Sequence, residues 1–382
     1  MIKLHKSSSR SLLLRGAASA ALLLAGAFGA TPATAASPAV LAGAAVNVSV
    51  FATGFNNPRG LKFGPDGKLY VAEGGLGGTD STVGKCPQVG PPIGPYTGDE
   101  DGGRISRVDS NGVRTTVTAK FPSSQTSAGS GNLTSGVADI AFIGNAMYAI
   151  TSGGGCSHGV QHHPNGVYRV HSDGSISLVA NLAAWQKSHP VAQPPVGDFE
   201  PDGTWYSMRA IDGWLYAVEP NHGELVRISP TTGDIHRVAD ISASQGHIVP
   251  TSFAFRGDDF YVGNLNTFPI NTGSSVILHI EKDGSNVHPV VWGLTTVVGV
   301  AFHNDRMYVL ENTVGEPFPT PGHGDIVKVK PDGSKTVVVS GLSLPTAMTF
   351  GPDGALYVSN IGFGPPPSKP NGPGQVLRIT GL

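Results

Sequence analysis

Residues 153–166 read GGGCSHGVQHHPNG, so Cys156, His158, His162 and His163 crowd into a glycine-rich run. A thiolate and imidazoles at that spacing could hold Zn²⁺ or Cu²⁺, and an imidazole could equally move a proton. Two more histidines stand beside acids, His222 in PNHGE (220–224) and His323 in GHGD (322–325), and either could act as a general base next to a bound ligand. YTGDEDGG at 96–103 has three consecutive acids without the alternating spacing of a calcium loop, and reads as a solvated face. The chain has no Walker-type loop and no His-Glu-x-x-His pair, so it offers no motif for nucleotide hydrolysis or zincin chemistry.

The elements that must position these residues come from a repeat. FGPDGKLYV at 63–71 returns as FGPDGALYV at 350–358, and weaker copies keep an apolar strand, a polar turn and a Tyr-centred strand. The anchors are Tyr70, Tyr148, Tyr216, Tyr261, Tyr308 and Tyr357. After each come a loop and two more strands joined by a tight turn, as in VYRVHSDGSISLV and IVKVKPDGSKTVVV. Asp-Gly tolerates the positive φ of such turns, and period-two alternation marks the strands. Six four-stranded antiparallel units predict an all-β, six-bladed propeller over residues 37–382. The last unit is one strand short at GQVLRITGL, and NVSVFATGF at 47–55 is expected to supply that strand and close the ring.

Counting three residues past each tyrosine gives Glu73, Thr151, Glu219, Asn264, Glu311 and Asn360, one at the end of every second strand. Hard oxygen donors in a ring suit Ca²⁺, so Glu73, Glu219, Asn264, Glu311 and Asn360 are candidate metal ligands. The alternative is that each caps its own loop by accepting backbone N–H groups. One strand earlier a second set comprises Arg59, Ala138, Tyr206, Thr251, Val298 and Thr346, with Asp139, Ser207 and Ser252 beside them. Arg59 is the cation of that set, able to orient an anionic ligand or to pair with Glu73 or Asp139. Arg59, Asp139, His222 and His323 are therefore the candidate ligand residues around the channel.

Cys86 and Cys156 are the only cysteines, in loops after the second strands of adjacent units. In an exported chain they are expected to form a disulfide, which removes the thiolate from any metal site and leaves the three histidines as solvated loop residues. Export is expected from Lys3, Lys6, Arg10 and Arg15 ahead of an apolar run from Ala17 to Phe28, then Ala33-Thr34-Ala35-Ala36, the form of a signal peptide over residues 1–36. The destination is extracellular or periplasmic. No later stretch is apolar and long enough to span a bilayer. Charged residues make up 14% and the net charge is −2, which gives a nucleic-acid partner no electrostatic support. About 29 residues from Gly74 to Gly102 lack strand pattern and read as a lid or a mobile segment.

NPRGLKFGPDGKLYVAEGG followed by GGRISRV resembles the NHL-type repeat. Together with LAAW at 182–185, the Pro-rich link after it and FEPDGTWYSM, nearly the whole chain resembles the ScyD/ScyE family of secreted six-bladed propellers. That resemblance implies the fold and export but no established reaction. The function expected first is a non-catalytic propeller that binds a protein, a glycan or a small molecule on its loop face or channel. The alternatives are a metal-dependent lactonase or lyase and a quinone-dependent sugar dehydrogenase. Gluconolactonase-like enzymes place Glu-Gly-Pro where this chain has Asn57-Pro58-Arg59-Gly60, and the predicted rings contain no histidine base.

Overall fold

The computed structural model describes residues 45–197, 199–366 and 371–382; the expected signal peptide lies outside them. Six antiparallel sheets make a six-bladed β-propeller, five blades of four strands and a first blade that gains a short fifth, Thr134–Ser135. The innermost strands are Pro58–Phe63, Val137–Ile143, Ser207–Ile211, Pro250–Arg256, Val297–His303 and Ala347–Phe350. The second strands end at Glu73, Thr151, Glu219, Asn264, Glu311 and Asn360. In the sixth blade Gly374–Thr380 pairs with Leu356–Asn360 on one side and with Asn47–Phe55 on the other, from Asn47 opposite Thr380 to Phe55 opposite Gly374.

The tyrosine repeat has a packing reason. The buried apolar residues fall into six clusters, one at each seam between neighbouring blades. Each anchoring tyrosine reaches across its seam. Tyr70 meets Phe142 edge to face at 5.1 Å, and Tyr261–Phe302, Tyr308–Phe350 and Tyr357–Phe63 repeat the contact at 5.1, 5.2 and 5.1 Å. Edge-to-face pairs add about 0.5–1.5 kcal/mol each beyond area burial, so the repeat holds blade to blade as well as strand to strand.

The first blade departs from expectation. Its third and fourth strands run Thr97–Val108 and Arg114–Gln125, twelve residues each, so the acids of YTGDEDGG lie on a strand and the expected unpatterned segment ends at residue 96. Glycines permit the extension: a Cβ on Gly103 would sit 2.6 Å from the Pro122 carbonyl oxygen, and one on Gly102 2.5 Å from the Ser123 Cβ. The ladder slips in register on both sides of Gly103. A bulged glycine strand lacks the clean alternation by which a strand is read from sequence. The LAAW segment opens a helix, Leu182–Ser188, capped by the Asn181 side chain, which accepts the Ala184 N–H at 2.9 Å.

Candidate functional site

In an antiparallel four-stranded blade, the loop between the second and third strands emerges on the same face as the link to the next blade. The candidate residues at the ends of the second strands sit on that face, and their hydrogen bonds are local. Glu73 accepts the Asn56 N–H at 2.6 Å, Arg104 Nε and Nη2 at 2.8 and 2.6 Å, and the Ser106 hydroxyl. Glu219 accepts the Thr204 and His222 N–H groups at 2.6 and 2.5 Å. Glu311 takes the Thr295 N–H at 2.5 Å, and Asn360 the Ser343 N–H at 2.9 Å. Asn264 donates to the Ile248 carbonyl at 2.8 Å and accepts the Val276 N–H at 2.7 Å, while Thr151 accepts the Gly166 N–H at 3.0 Å. These side chains tie the segment leading into each blade, or a blade's own loop, to the end of its second strand. Among the described residues no three His, Cys, Asp or Glu side chains converge as metal ligands would. In this structure the residues expected as a Ca²⁺ ring cap loops and strand ends.

Cys86 and Cys156 form a disulfide that staples the loops of the first two blades. Closing a loop with a sequence separation of 70 residues restricts the unfolded chain by about 4 kcal/mol in the chain-entropy account. The three histidines of that loop are not a solvated set. His158 is fully buried; its Nδ1 is 2.9 Å from the Ser124 hydroxyl and its Nε2 3.6 Å from Glu200 Oε2. Burial pushes its pKa down to about 4, so the Glu200 contact at neutral pH joins a carboxylate to an uncharged ring. Glu100, one of the acids read as a solvated face, accepts the Gln161 and His162 N–H groups at 2.8 and 3.0 Å and meets His163 Nδ1 at 2.9 Å. The two stretches singled out in the sequence hold each other.

His222 is buried against Glu219, 3.2 Å away, and Gln186, 2.9 Å away. Burial opposes its protonation, but Glu219, then Glu224 and Glu200, raise its pKa. His323 is exposed, near the Val314 carbonyl at 3.3 Å. Neither histidine reaches the wall of the central channel. The first faces its own blade, and the second faces solvent.

The channel itself holds a cavity of about 870 Å³. All nine residues of the second set line it, Arg59 and Asp139 among them. Lys62 and Arg209, which were not singled out, line it as well. Period two along the inner strands carried the signal, since Arg209 is two residues past Ser207 and Lys62 two past Gly60. The loops add Tyr96, Glu200, His247 and the rings of Phe268, Phe318 and Phe363.

No family model matches the chain, and no curated protein matches it. Solved structures do. A glucose dehydrogenase superposes with a TM-score of 0.54 at 13% identity, over 87% of this chain and 99% of that one. A gluconolactonase from Xanthomonas campestris gives 0.51 at 10% identity, over 87% and 89%. A calcium-binding regucalcin from Agrobacterium tumefaciens gives 0.51 at 13%, over 87% and 94%. The likeness is one of fold.

Proposed function

We propose that the chain is exported on residues 1–36, folds as one propeller over 37–382, and binds a small organic molecule in its central channel. The observation that carries this reading is the 870 Å³ cavity lined by inner-strand residues and roofed by loops. A concave chamber of that size suits a compact ligand better than the surface of a protein partner. The Cys86–Cys156 disulfide supports an oxidising destination, and among the described residues no helix is long and apolar enough to cross a membrane. The repeat and the LAAW segment support the finer likeness to the ScyD/ScyE family.

A second reading adds catalysis on the bound molecule. It is favoured by neighbours of the same fold that are named gluconolactonase and glucose dehydrogenase. The groups at the cavity suited to proton transfer are His247 and the Tyr96–Glu200 pair, in which the phenol donates to the carboxylate at 2.6 Å. The Ca²⁺ suggested by the regucalcin likeness does not fit the five oxygen donors read from the sequence, because their hydrogen bonds are spent on loop caps.

The test is to incubate the protein with the low-molecular-weight fraction of a culture of the producing organism, isolate it by size exclusion and identify what it retains by mass spectrometry. The wild type is expected to retain a compound that Ser252→Phe, which fills the channel, does not. Equal retention by both would place binding elsewhere.

A further inference from the structure

Among the described residues, the cavity wall carries three cationic side chains against two carboxylates. Arg59, Lys62 and Arg209 face it, against Asp139 and Glu200. Both acids are engaged. Asp139 takes Lys62 Nζ on both oxygens at 3.1 Å, together with the backbone N–H groups of Ile140 and Met208 at 2.8 and 2.9 Å. Glu200 accepts the Tyr96 phenol. Among the described residues neither guanidinium has a carboxylate within ion-pair distance. Arg59 Nη2 donates to the Thr134 carbonyl, and Arg209 donates through Nε to Phe253 O at 2.5 Å and through Nη2 to Val300 O at 3.2 Å. The remaining N–H groups of both find no acceptor among the described residues. Desolvation pulls both pKa values down, eased for Arg59 by Tyr206 and for Arg209 by Asp139.

A second observation is independent of charge. Thr134, Ser207 and Ser252 line the same wall, and their buried hydroxyls have no hydrogen-bond partner among the described residues. A buried polar group left unpaired costs about 1–3 kcal/mol, so three around one cavity mark where an acceptor belongs. The loop side of the cavity has the opposite character. Phe268, Phe318 and Phe363 stand in a row with centroids 5.2 and 6.5 Å apart, and Phe268 is 61% exposed. Exposed neighbouring rings offer a face that a flat apolar body would cover. Arg59 touches both zones, since its guanidinium lies 5.8 Å from the Phe363 centroid.

Resting on the channel reading above, we propose that the ligand is an amphipathic organic anion, a carboxylate on a flat apolar or aromatic body. The carboxylate is taken by Arg59, with Arg209 and the orphan hydroxyls completing a donor-rich wall, and the body lies under the three phenylalanines. A planar guanidinium fork matches a carboxylate with two parallel bonds, which a neutral amide cannot reproduce.

Titration calorimetry with 2-naphthoate and its neutral isostere 2-naphthamide tests the inference. The wild type is expected to bind naphthoate at least about tenfold more tightly. Arg59→Met should remove that preference by weakening naphthoate far more than naphthamide, Arg59→Lys should keep part of it, and Arg209→Met should reduce it, each variant first shown to melt like the wild type. Equal affinity for the two probes in the wild type, or a preference that survives both methionine variants, would overturn the anion and leave the channel reading standing. Binding of neither probe would overturn both.

Discussion

Two sets of polar residues encircle the propeller one strand apart, and they differ in what their side chains face. The outer set, from Glu73 to Asn360, is tied down: every member bonds a backbone group of a loop or a strand end. The inner set faces a cavity with open donors on Arg59, Ser207 and Ser252. Side chains of similar chemistry thus do different work according to where their hydrogen bonds end. A closed set is a structural fastener, whereas an open one keeps its capacity for a guest.

That contrast can be broken or sharpened by measurement. Deleting residues 37–54 removes the outer strand of the sixth blade and exposes the edge of Gly374–Thr380; the cooperative thermal transition is expected to vanish, and calorimetry showing an unchanged endotherm would mean the ring does not depend on that strand. Arg104→Met leaves the buried Glu73 carboxylate without its cation and should cost about 3–5 kcal/mol in urea denaturation, against no more than about 1 for Arg59→Met in the channel. Comparable losses from the two would erase the distinction between the sets.

The next effect depends on pH. Burial first, then repulsion from Asp325, raises the pKa of Glu311 to about 7 although the Thr295 N–H opposes the shift. The folded state therefore binds more protons than the unfolded one between the ordinary glutamate value of 4.5 and about 7. Stability is full below that window and falls as pH rises through it, by up to about 3 kcal/mol. Glu311→Gln should flatten this part of the profile, and parallel melting curves for the two proteins from pH 5 to 8 would refute the assignment. The smallest effect is expected from Ser252→Ala, which removes a hydroxyl with no partner among the described residues: stability should hold within about 0.5 kcal/mol or rise, while a loss above about 1 would mean that the hydroxyl is already bonded.

The ring of blades was legible because its signals are local and periodic. Tyr70, Tyr216 and Tyr357 follow an Asp-Gly turn at the same offset and the other three tyrosines a polar turn like it, so the strand ends and the channel wall could be counted out residue by residue. The roles of those residues were not countable. Glu73 finds Asn56, and Glu311 finds Thr295, across the inner strand of the same blade, and a spacing cannot state whether a carboxylate meets an N–H or an ion. The burial of His158 was hidden for a different reason: it depends on Tyr96, Ser124 and Glu200, which three separate segments bring together. Lys62 and Arg209 were within reach of period-two counting. The phenylalanine row lies in irregular loops, where no periodicity points.

The seam tyrosines have a bearing on how such a molecule can change. The blades are fastened around the circumference by ring contacts, from Tyr357 to Phe63 as from Tyr70 to Phe142, and at the axis by hydrogen bonds from Thr251 to the Val297 carbonyl at 2.5 Å and from Thr346 to the Pro58 carbonyl at 2.6 Å. Mutational drift at Ser207 or Ser252, whose hydroxyls bond no other group among the described residues, would rewrite what the tunnel recognises while the frame stays as it is. The same partition makes those positions the natural targets of a randomised library in which new guests are selected on an unaltered chassis.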